Sequence, residues 1–162
     1  MNRRNLRTLS AIAALGAALG AALCAGGVLA QQSSVEAVKA VNSSFHAALG
    51  SLDFKKLESI WANESYVTLV NPRDKGISVG WDAVKSNWEG SFKDYAELKL
   101  TQLDGPHIHV NGDVAWSTGL VRADIKLKDG GAVSSNVFET DVYEKQGSQW
   151  KLVSHSALRA GK

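Results

Sequence analysis

After Tyr95 the chain alternates apolar and polar residues in long runs, and short polar turns are all that interrupt them. The candidate strands run from Leu98 to Leu103, Ile108 to Val110, Val114 to Lys128, Ala132 to Lys145 and Trp150 to Leu158. Asn111-Gly112, Asp129-Gly130-Gly131 and Gln146-Gly147-Ser148 are turn signals between them, rich in residues that accept the backbone angles of tight turns. Consecutive strands joined by tight turns must be antiparallel. Period-two alternation gives such a sheet one apolar face, which another layer has to cover.

The cover comes earlier in the chain. Val35, Val38, Val41, Phe45, Ala48 and Leu52 recur at three- and four-residue spacing, forming one apolar helix face with Ser33-Ser34 as cap candidates. Asp53 is placed to cap a shorter helix carrying Phe54, Leu57, Ile60 and Trp61. Tyr66 to Val70 reads as a strand stopped by Asn71-Pro72, and Ile77 to Val79 as a short extended piece. Trp81, Val84, Trp88 and Phe92 mark a third helix. Helices first and strands last predict an α+β domain with helices on one face of an antiparallel sheet.

Residues 1–30 carry a different pattern. Arg3, Arg4 and Arg7 precede an apolar run from Leu9 to about Leu23, and Val28-Leu29-Ala30 forms a small-residue cleavage site ahead of polar Gln31-Gln32. These are the three parts of a cleaved signal peptide; the run is short and glycine-interrupted for a membrane anchor. The expectation is export to the periplasm or beyond, with Arg3-Arg4 hinting at the twin-arginine route. Cys24, the single cysteine, would leave with the signal, so the mature core must hold without a disulfide. Three of 18 basic residues would leave too, against 16 acidic ones that stay, so the mature balance is 15 − 16 = −1. A near-neutral surface of mixed sign argues against nucleic acid or an anionic membrane as partner. Residues 31–162 suit one domain.

The order of elements resembles the nuclear transport factor two-like fold, and more narrowly its SnoaL-like group. The segments that carry the resemblance are FHAALGSLDFKKLESIWA, YVTLVNP, VNGDVAWSTG and QGSQWKLVSHSAL. The resemblance implies a strongly curved sheet wrapped as a cone around the long first helix, with two further helices and a pocket at the open end. Members of the group bind small molecules, catalyse isomerisation, dehydration or cyclisation, or serve as dimerising modules.

Ketosteroid isomerases in this superfamily place a general-base aspartate before the proline ending the first strand, and a tyrosine on the first helix. The matching positions are Asn71, which takes no proton, and Phe45, which has no hydroxyl, so that mechanism is set aside. The calmodulin-dependent kinase association domain is matched along the last strands. Its pocket arginine falls on Arg122, its Glu-Thr pair on Glu139-Thr140, and an aromatic position on Tyr143. Its two last-strand histidines would fall on Ser154 and Ser156, leaving His155 on the opposite side of the pleat.

Arg122 shares one strand face with Trp116, Thr118 and Leu120. With Asp129-Gly130 as the turn, Glu139 and then Asp141 become its same-face neighbours on the next strand. The expected pocket is therefore Arg122, Glu139, Asp141, Trp116, Thr118 and Asn71, with Asp141 or Glu139 the candidate base; the bland alternative for Arg122 is a solvated ion pair on the convex face. His107 and His109, two apart, lack an evident third metal ligand, and His46 reads as a helix-flank residue. With no G-x-S-x-G or H-E-x-x-H, nucleophilic hydrolysis is rejected, and neither a metal nor another cofactor is expected. Three functions follow: an exported small-molecule-binding or accessory protein, an enzyme doing acid–base chemistry on a small organic substrate, or a structural dimerisation module. The expected partners are a small organic or anionic ligand and a second copy of the chain. A roomy cavity beside a buried carboxylate would favour the enzyme, and a pocket filled by its own side chains the module.

Overall fold

A computed structural model describes residues 31–161, and the compact unit begins at Val35. The signal-peptide reading falls on residues 1–30, outside the described residues. Residues 31–51 are helical (α1), so Ser33-Ser34 lie within the helix instead of capping it. Along α1 the predicted stripe is turned inward, with Val38, Phe45 and Ala48 buried. Leu52 leaves the helix with φ of 52°. Asp53 then caps α2 (Phe54–Ile60), accepting the Lys56 backbone N–H at 3.2 Å.

Strands β1 (Thr68–Val70) and β2 (Ser78–Val79) pair antiparallel, and α3 covers Trp81–Asp94. Four long strands follow: β3 (Tyr95–Asn111), β4 (Val114–Leu127), β5 (Ala132–Gln146) and β6 (Gln149–Arg159). The two pieces expected before Asn111 are one strand, since bulges near Gln102, Asp104 and His107 break the alternation without ending the pairing. The sheet order is β2-β1-β6-β5-β4-β3. It is mixed: β1 runs parallel to β6, a pairing no tight turn could have signalled, while the four long strands are antiparallel as expected.

The main core lies between α1 and the inner sheet face. Phe45 meets Trp61 and Trp88 edge-on at ring separations of 6.5 and 6.1 Å, and Leu57, Leu69, Tyr143 and Leu152 complete it. Among the described residues no helix is long and apolar enough to cross a membrane.

Candidate active site

The inner face of β5 carries, in alternate positions, Ser135, Val137, Glu139, Asp141 and Tyr143; that of β6 carries Val153, His155, Ala157 and Arg159. The ladder sets Asp141 directly opposite His155 and Glu139 opposite Ala157. His155 Nδ1 and Asp141 Oδ1 are 2.6 Å apart, and both side chains are almost wholly buried. Asp141 Oδ2 accepts from Asn42 Nδ2 at 3.1 Å and from the Tyr143 hydroxyl at 3.2 Å, with Ser117 Oγ at 3.5 Å. A buried carboxylate is costly unless its lone pairs are filled, and here both oxygens are occupied.

Burial by itself would lower the His155 pKa, but the charge of Asp141 and its hydrogen bond, with Glu139 and Asp74 further off, outweigh it and raise the value. The imidazole is thereby favoured in its charged form. Burial and the neighbouring Asp141 charge push the Tyr143 phenol far up, so it stays a neutral donor to that carboxylate.

Above His155 opens a cavity of about 370 Å³. Leu98, Leu100, Ile125 and Val137 give it apolar walls, and Trp88 closes one side. His155 and Glu139 reach it from below; among the described residues His155 Nε2 has no hydrogen-bond partner. Glu139 is 7 % exposed and held through Oε2 by His46 Nε2 at 2.8 Å. Diagonal same-face neighbours on paired strands sit about 7–8 Å apart, so a carboxylate and an imidazolium face one small volume from two strands.

Of the six expected pocket residues, Glu139 and Asn71 border the cavity. Asn71 is at the rim, tied by its side chain to Asn87 at 3.0 Å, while Asn87 in turn reaches Asp74 at 3.0 Å. Asp141 lies one layer below the cavity and acts on it through His155. Arg122, Trp116 and Thr118 do not face the cavity. They point from the outer face, where Arg122 pairs with Asp124 at 3.2 Å and Trp116 stacks on His109 at 4.4 Å. The loop explains the correction. It holds five residues, 127–131, outside the Lys126–Ala132 pair, and that sets Arg122 opposite Asn136. A two-residue Asp129-Gly130 turn would have set it opposite Val137, and a one-residue slip moves every side chain to the other face. His107 bonds to Asp104 at 3.2 Å on the exposed side.

His155, Asn42 and His46 were not expected at the site. Alternation counted back through Ala157 and forward from Val153 marks His155 as inward-facing, whereas matching Ser154 and Ser156 to family histidines put it on the wrong side. Asn42 and His46 lie one helical turn apart on α1, beside the apolar stripe.

The SnoaL-like domain model matches residues 38–157. The chain belongs to the SnoaL-like family. Solved structures resemble this SnoaL-like protein across most of its length. A candidate dehydratase of the nuclear transport factor two-like family from Streptomyces avermitilis shares 24% identity, covering 81% of this chain and 99% of its own, with a TM-score of 0.73. A superfamily protein from Salmonella enterica serovar Typhimurium shares 18%, covering 84% and 94%, at TM-score 0.70. A candidate calcium/calmodulin-dependent protein kinase II association domain from Xanthomonas campestris shares 17%, covering 77% and 86%, at 0.66. At these identities the likeness establishes the fold of the SnoaL-like protein, not its chemistry. A search of curated proteins finds no match.

Proposed function

We propose that this SnoaL-like protein is an enzyme of acid–base chemistry acting on a small, largely apolar organic molecule. One observation carries the reading: the His155–Asp141 pair lies directly under a 370 Å³ apolar-walled cavity that Glu139 also reaches. A cavity this size is at odds with a module packed on its own side chains. The roles follow from the environments. Glu139 takes a proton from a carbon activated by a neighbouring carbonyl. His155, charged through Asp141, gives its Nε2 proton to a departing hydroxyl, which leaves as water, or to the carbonyl oxygen in a double-bond shift. In the elimination Glu139 ends protonated and His155 neutral, and exchange with solvent restores both; in the double-bond shift Glu139 returns its proton to the γ carbon as His155 takes back the proton on the oxygen. Asp141 is a positioning residue, and Asn42, Tyr143 and Ser117 keep its second oxygen occupied. The name of the Streptomyces relative accords with such an elimination.

The test is a panel of β-hydroxy ketones and unsaturated ketones followed by ultraviolet absorbance. Turnover that falls about 100-fold or more in both His155→Gln and Glu139→Gln supports the proposal. Retained turnover in both variants, or no turnover together with a neutral His155 at pH 7 by NMR, removes it and leaves a binding protein.

Two further features are proposed. Residues 1–30 direct export, with the mature chain starting at Gln31. The protein forms a homodimer through its outer face, where Leu120, Phe138 and Leu158 lie side by side across three strands, the last two each 57% exposed.

A further inference from the structure

The floor of the cavity accounts for chemistry but not for what holds a substrate's far end. Two guanidinium groups stand at the mouth, Arg73 and Arg159, both exposed and both bordering the cavity. Among the described residues neither has an ion-pair partner. Val70 and Ser156 are the last partners of the parallel β1·β6 ladder. Arg159 closes β6 beyond that ladder, and Arg73 stands in the turn that follows β1, so both are carried at the end of the sheet where these two strands part.

Arg159 also ends an inward row. His155, Ala157 and Arg159 alternate on one face of β6, so the line from imidazole to guanidinium spans four residues, about 13 Å of strand. Between them Ala157 presents only a methyl group, which leaves the row open along its length. One rim carboxylate lies on this side: Asp74 holds the Asn71 backbone N–H at 2.8 Å and the Asn87 side chain at 3.0 Å through Oδ2 and keeps its charge, which offsets one of the two guanidinium groups and leaves the other. Asp94 lies by the β3·β4 end, where its carbonyl accepts Lys128 N–H at 2.9 Å, three strands and about 14 Å from β6. The mouth is polarised, cationic beside β1 and β6.

From this we infer that the cavity takes an amphipathic acid: an apolar body between the walls, its reacting end at His155 and Glu139, and a carboxylate at the mouth held by Arg73 and Arg159. Guanidinium groups match carboxylates through paired N–H donors, so two of them on one side select a planar anion over a neutral group of the same shape. The inference rests on the cavity being a ligand site, as proposed above, but not on that site being catalytic.

The experiment uses 2-naphthoate and its neutral near-isostere 2-naphthamide, with calorimetry on the purified protein. The acid is expected to bind about tenfold tighter than the amide, as two partly solvated charge pairs would give. The double variant Arg73→Gln/Arg159→Gln should lose that preference and keep its affinity for the amide, which also shows that it is folded. His155→Gln should keep the preference. No preference in the unmodified protein overturns the inference. So does a preference that survives the double substitution or disappears in His155→Gln, which would seat the carboxylate on the floor. Absence of turnover by the unmodified protein across the ketone panel, with the preference intact, would instead defeat the enzymatic reading alone.

Discussion

His155 Nδ1 stands 2.6 Å from Asp141 Oδ1, across the β5·β6 ladder and at the same level of it. Direct cross-strand pairing makes the contact a property of the backbone register and not of a flexible loop. The imidazole is further fixed against Phe45, with ring centres 5.0 Å apart, and against Trp88 at 6.0 Å. Asp141→Asn keeps the shape and removes the charge. Burial, which lowers the His155 pKa, is then the larger remaining influence, so the value should fall below that of an ordinary imidazole. NMR titration of the histidine ring signals measures this directly, and an unchanged His155 would separate the pair electrostatically.

Truncating the carboxylate is harsher. Asp141→Ala leaves His155 Nδ1 and the donors of Asn42 and Tyr143 buried without their shared acceptor. Breaking a buried pair from one side costs about 3–5 kcal/mol, a large share of the stability of a domain this size. Urea unfolding of Asp141→Ala beside Asp141→Asn tests this, and the alanine variant should be much the less stable of the two.

The raised pKa of His155 has a thermodynamic consequence. Because the folded value lies above the unfolded one, the folded state binds the proton more tightly. The resulting stability is fully present below the unfolded imidazole value, about 6.5, and is lost as pH rises through the folded value. Unfolding free energies across neutral to alkaline pH should fall over that window in the unmodified protein, and this component should vanish in His155→Gln.

Most of the architecture was legible because each element advertises its period. The α1 stripe, the Asp53 cap, the Trp81-to-Phe92 helix and the glycine turns are all local signals, and they were found where expected. The candidate site was legible only in part, because its assembly depends on relations that local signals do not carry. Glu139 and Asn71 border the cavity, but nothing in the sequence places Asn42 on Asp141, 99 residues away. The parallel β1·β6 pairing, which brings the turn carrying Arg73 to the end of the strand carrying Arg159, also has no local mark.

The outer face offers a prediction about assembly. Phe138 and Leu158 pair across β5 and β6 with much of their surface in water. Covering that row with a second copy would bury it twice over. Light scattering at micromolar concentration should report a dimer, and Phe138→Glu should yield a folded monomer, since a charge there has no partner within the interface.

Arg122→Leu closes the question of the outer arginine. A pocket role requires Arg122 and Glu139 on one face, which holds only if the β4–β5 loop has an even number of residues, as a two-residue turn does. The loop instead turns through Leu127 to Gly131, where Leu127 N–H meets the Gly131 carbonyl at 2.7 Å and Gly130 N–H the Leu127 carbonyl at 3.1 Å. Arg122 consequently lies on the solvent side, reaching Asp124, which Ser134 also contacts. Exposed pairs of this kind contribute little to stability. The substitution should therefore leave the affinity for 2-naphthoate unchanged and the thermal midpoint within experimental error. A loss of naphthoate binding comparable to that of Arg73→Gln/Arg159→Gln would mean that the β4·β5 register in solution is shifted by one residue.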